Sequence, residues 1–368
     1  MKYLRFLLVL SLSLVLVPMQ GHAQAQRPPL PRSSVARLVL PEIEAGHAKG
    51  MVIGLINKQG RAVYGFGKLG GNRRKAPSGN SIFDIGSITK TFVGVLLAQA
   101  VLEGKIVLTD PVSRYLPPNV SIAPYGGDVT VLSLATHSSG LPSRPDNLPI
   151  KDPLNPWLGY SVDKMYEYLN TVKLTRPVGT QFEYSNIGAA VAGHILERVY
   201  GKPLEVLVKE KLCAPLGMTD TTITLTSAQR ARYAVGYAPD LSPVPHWELP
   251  SLEGAGAFHS TVNDMLNYAA ASMGLMPTPL YSAIKLTHIP RFHVIEQPGM
   301  FLGLFWNVLQ IDDRQYISHA GGAGGFFALM MMSATDQSGV VLLCNTASDM
   351  SDIVRRLMST LVVQDNRR

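Results

Sequence analysis

Two cysteines in 368 residues are too few for a disulfide framework. Cys344 lies in VVLLCNT, which reads as a buried strand, and Cys213 lies in KEKLCAPLGM at a helix end. Two free, buried thiols are therefore expected. Charge is also sparse: 16% of residues are charged against 46% apolar, a balance that excludes a disordered chain. The net charge of +7 is mild, and its basic residues are scattered, with only short pairs such as Arg73-Arg74 and Arg355-Arg356. That dispersion argues against a nucleic-acid partner. No apolar run is long enough to span a bilayer comfortably. There is no H-E-x-x-H, the nine histidines are dispersed, and His288 with His293 is poor metal spacing, so neither a metal nor a cofactor is expected. No G-x-S-x-G elbow is present. GFGKLG, residues 65–70, matches G-x-G-x-x-G, but GNRRKAP follows where a helix N-terminus would have to hold a pyrophosphate.

What the chain does have begins at its N-terminus. Lys2 and Arg5 precede an apolar run from Phe6 to Val17, and small residues follow around Ala23 and Ala25. This is the layout of a secretory signal peptide, residues 1–25, and it predicts a periplasmic or secreted protein with no stable membrane span after its removal. Without Lys2 and Arg5 the net charge is about +5.

Strand patterns lie at both ends of the sequence and helical patterns lie between them. Ser34 to Ala45 reads as a short helix, and MVIGLINKQGRAVYGFG as two strands turning at Lys58-Gln59-Gly60. Phe92 to Leu102 is apolar on more than one face, so it reads as a central buried helix that stops near Gly104. Helical candidates continue to about Pro290, among them SVDKMYEYLNTV, IGAAVAGHILERVYG, LEVLVKEKL and TVNDMLNYAAASMG. FLGLFWNVLQI, RQYISH, GFFALMMMS and GVVLLCN then read as strands, and SDIVRRLMSTLVVQ as a final helix capped by Asp349 or Ser351. The expectation is an α+β fold: one antiparallel sheet from both termini (residues 26–104 and 291–368) flanked by helices, with a mainly helical domain (105–290) inserted. A cleft between the two would hold the site.

Three segments carry candidate chemistry. In FDIGSITKTFVG, Ser87 opens a helix and Lys90 follows one turn later on the same face. An apolar helix disfavours the charged form of a lysine, which favours base behaviour; the plain alternative is a Ser cap with a solvated Lys. In FEYSNIG, Tyr184 and Asn186 project to the same side if the segment is extended. A phenol near a lysine would have its anion favoured and could relay protons, while an Asn amide can orient a lysine and a substrate amide together. Ser185 or Asn186 could instead merely cap the next helix. In ISHAGGAGGFF, His319 ends a predicted strand, and the glycines after it let a backbone approach a ligand. A backbone N–H there could form half an oxyanion hole, with the N–H of Ser87 as the other half. A glycine-rich hairpin with an incidental histidine is the alternative.

The order of these segments resembles that of the serine penicillin-recognising enzymes. The chain is similar to the class C β-lactamase and DD-peptidase family, most of all to its AmpH-type D-alanyl-D-alanine carboxypeptidase/endopeptidase branch. LATHSSGLP, PVGTQFEYSNIGAAVAGHILE and GAGAFHSTVNDM share in the likeness, which covers essentially the whole mature chain. It implies a β-lactamase/transpeptidase-like fold and an acyl-enzyme serine hydrolase acting on peptidoglycan peptides or β-lactams. Ser87 would match the nucleophile, Lys90 the lysine that activates it, and Tyr184 the tyrosine that shuttles protons. Asn186 would match the amide-binding asparagine. His319 would stand where many relatives have the Lys of Lys-Thr-Gly, with Gly321 in its glycine position and Gly322 supplying the second oxyanion N–H. His319-Ala320 lacks both the lysine and the threonine hydroxyl, which moves weight from a β-lactamase toward a peptidase or a family VIII-type carboxylesterase. A non-turnover penicillin-binding protein is a further alternative. If the charge of His319 assists binding, activity should fall above its pKa. His137, Glu253 and His259 also sit in family-like loops, where His137 and His259 read as structural. Trp157 and Tyr160 read as core residues that could line a groove.

Overall fold

The computed structural model describes residues 28–365. The expected signal peptide, residues 1–25, lies outside them. Among the described residues no helix is long and apolar enough to cross a membrane.

Eight antiparallel strands form the central sheet, in the spatial order 60–67, 50–57, 338–344, 326–333, 314–323, 307–311, 300–302 and 292–293. The N-terminal hairpin is thus joined to the C-terminal strands through Gly50–Asn57 and Ser338–Cys344, registered from Met51 opposite Cys344 to Ile56 opposite Gly339. Both strands are buried along their whole length, which explains their continuous apolar runs. On one face of the sheet lie the helices Arg32–Glu44 and Ser351–Asp365, sharing a core that contains Val35, Val39, Ile53, Leu342, Val354 and Leu361. Asp349 caps the last helix by accepting from the Ser351 N–H at 2.8 Å. Cys213 and Cys344 are both free and buried, as expected.

The other face carries the helical part. Its central helix, Thr89–Leu102, is buried from Thr89 through Ala98. Burying side chains such as Phe92 and Leu96 stabilises the fold by about 1.5–3 kcal/mol each, which offsets the cost of holding Lys90 in the same dry environment. The helix Val262–Ser272 falls within the 105–290 span, yet its Val262 and Leu266 share this core with Val52 and Ile56 of the sheet.

Two strand boundaries differ from the sequence reading. FLGLFWNVLQI is interrupted at Gly303–Trp306, where the chain leaves the sheet and packs on helices: the Leu304 N–H bonds to Thr287 O and the Phe305 N–H to Ala135 O. Gly94 of the central helix makes room, since a Cβ there would lie 2.3 Å from Leu304 O. The strand carrying His319 does not end at that residue but runs on to Ala323. Beyond Ser318 it loses its neighbour 307–311 but stays paired with 326–333 as far as Ala323 opposite Phe326. One edge of residues 319–323 is therefore free of sheet pairing, and it is this edge that meets Ser87.

Candidate active site

Ser87 sits in a single 3-10 turn, Gly86–Ile88, that leads directly into the central helix. Gly86 has φ +48°, a left-handed conformation suited to glycine, and a Cβ on it would lie 2.5 Å from Gly322 O. Gly321 is just as confined: a Cβ there would lie 2.0 Å from Ile85 O and 3.0 Å from Ser87 N. Two glycine contacts thus press the backbone of residues 321–322 against that of Gly86–Ser87.

Lys90 lies one turn into the helix and is fully buried. Its Nζ is 2.9 Å from Ser87 Oγ, 2.9 Å from Asn186 Oδ1 and 2.6 Å from Ala255 O. Burial holds its pKa well below the ordinary lysine range. The three contacts then divide by chemistry. The Ala255 carbonyl and the Asn186 amide oxygen can only accept, so they take the two N–H groups of a neutral amine. The Ser87 hydroxyl accepts from the Lys90 ammonium, and once the amine is neutral it can instead donate to the free lone pair.

Ser185 caps the helix Asn186–Tyr200, its hydroxyl accepting from the Gly188 N–H at 2.8 Å. The capping alternative raised for FEYSNIG is thus true of Ser185, and it leaves its two neighbours free for the site. Asn186 turns its Oδ1 to Lys90 and donates from Nδ2 to Ser143 Oγ at 3.0 Å. Tyr184 is hydrogen-bonded with Ser87, and its ring centre is 4.9 Å from Lys90 Nζ. The expectation of a favoured phenolate is overturned. Burial raises the Tyr184 pKa above that of a free phenol, and its hydrogen bond with Ser87 offsets only part of that rise.

His319 is buried, and its Nδ1–H donates to Ala320 O at 2.6 Å. Burial, above all, lowers its pKa to about 3. The expected partly charged histidine is therefore replaced by a neutral one, because among the described residues no carboxylate contributes to holding its charge. His137 is tied into the same region. It has φ +52°, accepts the Ser185 N–H on Nδ1 at 3.1 Å, and lays its ring 4.5 Å from that of Tyr184.

The cleft above Ser87 is a cavity of about 90 Å³ whose walls include Tyr184, Asn186, Trp157, Trp247, Leu252 and Gly322. Across Trp247, Gly322 and Ala323 it adjoins a mainly apolar cavity of about 420 Å³. Trp157 thus lines the groove, whereas Tyr160 belongs to the core. Glu253 lies aside, in a small pocket with His194 and Glu197, its pKa raised to about 7 chiefly by burial. Ser143, Trp247 and the Ala255 carbonyl escaped the sequence reading. Ser143 directly follows the quoted stretch LATHSSGLP, which could have pointed to it; Trp247 stands in an aperiodic loop and a carbonyl has no sequence signature.

The β-lactamase family profile matches residues 35–363. The chain belongs to the β-lactamase family. The D-alanyl-D-alanine-carboxypeptidase/endopeptidase AmpH of Escherichia coli K12 is 28% identical over 335 residues, 85% of each chain. A β-lactamase of Pseudomonas fluorescens is 28% identical over 285 residues, covering 75% of this chain and 74% of that one. Among solved structures, a β-lactamase/D-alanine carboxypeptidase from Yersinia pestis complexed with citrate superposes with a TM-score of 0.78 at 27% identity, covering 90% of this chain and 98% of that one. The fold is β-lactamase/transpeptidase-like, and this β-lactamase family member is a serine hydrolase.

Proposed function

We propose that this chain is an exported peptidase that cleaves D-Ala-D-Ala or related cell-wall peptides through an acyl-enzyme on Ser87. One observation carries the reading: a fully buried Lys90 whose Nζ lies 2.9 Å from the Ser87 hydroxyl and is held there by two acceptors, Asn186 Oδ1 and the Ala255 carbonyl. Ser87 Oγ attacks the substrate carbonyl as its proton passes to Lys90. The negative oxygen that forms is held by the backbone N–H groups of Ser87 and Gly322. Tyr184, a neutral phenol, passes a proton to the leaving nitrogen and is reprotonated from Lys90. Water then attacks the acyl carbonyl, its proton passes through Tyr184 to Ser87 Oγ as the acyl–Oγ bond breaks, and the acid is released. Asn186 orients Lys90 and the substrate amide, and the strand at Gly321 lies along the bound chain.

The peptide reading is favoured over a β-lactamase by the third segment. His319 is neutral, and the Ala320 side chain offers no hydrogen bond, so neither grips a free carboxylate. A β-lactam and a terminal D-Ala-D-Ala both present one, an internal cross-link does not, and the endopeptidase side of the reading is favoured. AmpH of Escherichia coli, a carboxypeptidase/endopeptidase by name, supports the same choice. The residues before position 26 act as the export signal, which places the enzyme in the periplasm or outside the cell.

The test sets a D-Ala-D-Ala peptide, nitrocefin and p-nitrophenyl butyrate side by side, with a fluorescent penicillin as covalent label. The peptide should be the best substrate, and Ser87→Ala should abolish both turnover and labelling. Persistent labelling of the variant would remove Ser87 from its role. Faster turnover of nitrocefin or of the ester would replace the peptidase reading.

A further inference from the structure

Three side chains outside the catalytic set converge on one point, three residues before Ser87. Asp84 and His259 face each other across a two-stranded pair, Phe83–Asp84 with His259–Ser260. His259 Nδ1 lies 2.6 Å from Asp84 Oδ1. From the loop after the short strand Pro243–Val244, His246 brings its Nδ1 to 3.4 Å from Asp84 Oδ2. The two imidazole centres are 5.2 Å apart, so each ring addresses a different oxygen of the same carboxylate. Among the described residues this is the one trio of His, Cys, Asp or Glu whose ligand atoms all lie within 4.8 Å of one another.

The surroundings suit a cation. Asp84 is buried, and a buried carboxylate needs a positive partner. Among the described residues no Lys or Arg lies within ion-pair distance of it; its partners are the two imidazoles. The Tyr233 hydroxyl donates to Asp84 Oδ1 at 2.6 Å, an outer-shell bond that fixes the carboxylate. His246 keeps 40% of its side chain exposed, which provides a path in from solvent.

We propose that Asp84, His246 and His259 bind a divalent transition metal of the zinc class. Two imidazole nitrogens and one carboxylate oxygen are a donor set for such an ion, with water completing a four-coordinate shell. Each histidine presents its Nδ1 lone pair in the neutral Nε2–H tautomer. Metal–ligand bonds of about 2.0–2.2 Å require the Asp84–His259 separation to widen by a few tenths of an ångström. The ion is remote from the reacting bond and acts as a clamp. His246 directly precedes Trp247, whose indole lines the Ser87 cleft and donates to Leu154 O at 2.9 Å. A metal here ties the base of that loop to the strand leading into the nucleophile turn and so sets the width of the groove. This assignment is independent of which substrate the enzyme cuts.

The test uses the full mature chain, stripped by chelator and dialysis, titrated with ZnCl₂ by calorimetry and with Co²⁺ by visible absorption. One Zn²⁺ per chain is expected, together with a Co²⁺ d–d band of four- or five-coordinate character. His246→Ala, a change at a partly exposed site, should weaken binding by more than the roughly 10–100-fold that loss of an outer-shell partner costs. Zinc should also slow hydrogen exchange in residues 245–252 of the parent chain and leave the variant unchanged. Absence of stoichiometric binding would overturn the proposal, and the trio would then be a hydrogen-bonded cluster only. Equal affinity in His246→Ala would also overturn it, as that places the ion elsewhere.

Discussion

The Nδ1 of His137 accepts the backbone N–H of Ser185 at 3.1 Å, so one imidazole fixes the peptide that separates Tyr184 from Asn186. The same residue receives the Glu183 N–H on its carbonyl at 2.7 Å, and its ring lies against Tyr184. Three ties from a single residue set the aim of two proposed catalytic groups. His137→Ala should lower kcat by about 100-fold, the scale of an ångström-sized misplacement, with a smaller change in KM. His137→Asn should recover part of the loss, because asparagine tolerates a positive φ and its amide oxygen can accept. Steady-state kinetics on both variants checks this; equal damage by both would mean that the hydrogen bond is irrelevant.

Lys90 must be neutral to take a proton, so kcat/KM should rise with pH through a pKa well below the ordinary lysine value. A carboxylate beside Nζ favours the ammonium form. Asn186→Asp should therefore move the acid limb of the profile to higher pH, by about 1–3 units, as well as reducing the rate. The profile of an activated ester, for which leaving-group protonation matters little, reads this most directly. A limb that stays in place would exclude Lys90 as the base.

With its pKa near 3, His319 carries no charge in the working range. Its replacement by Gln should change the magnitude of kcat/KM but leave the shape of the profile unaltered between about pH 5 and pH 8. A lost ionisation in the variant would restore the charged role that the sequence suggested.

Neither ring nitrogen of the buried His288 has a hydrogen-bond partner among the described residues, and burial lowers its pKa to about 3. The unfolded chain takes up the proton near pH 6.5 and the folded chain does not. Stability is therefore present above pH 6.5 and drains away as the pH falls toward 3. His288→Leu removes both the unpaired nitrogens and this proton uptake. It should stabilise the fold, and its advantage should be greater at pH 5 than at pH 8 by about 2 kcal/mol, from 1.36 kcal/mol per pH unit. Urea unfolding at the two pH values measures the difference.

The central helix and the strands 50–57, 326–333 and 338–344 were legible because burial on both faces leaves an unbroken apolar run. Ser87, Lys90, Tyr184 and Asn186 were legible as short spacings at helix starts, and the structure brings all four together. What sequence could not supply was environment. Whether Tyr184 and His319 carry charge depends on how dry their surroundings are, which comes from packing by distant segments. The break at Gly303–Trp306 depends on Thr287 and Ala135, and the Asp84–His246–His259 meeting on residues up to 175 positions apart. Neither has a local period to reveal it.

The sheet is closed by a strand from each end of the polypeptide, Gly50–Asn57 against Ser338–Cys344. A nascent chain halted anywhere before residue 322 would hold the serine turn without the backbone that seals it. On the roles proposed for Ser87 and Gly322, the site is complete only once residues 321–322 have docked against Gly86–Ser87.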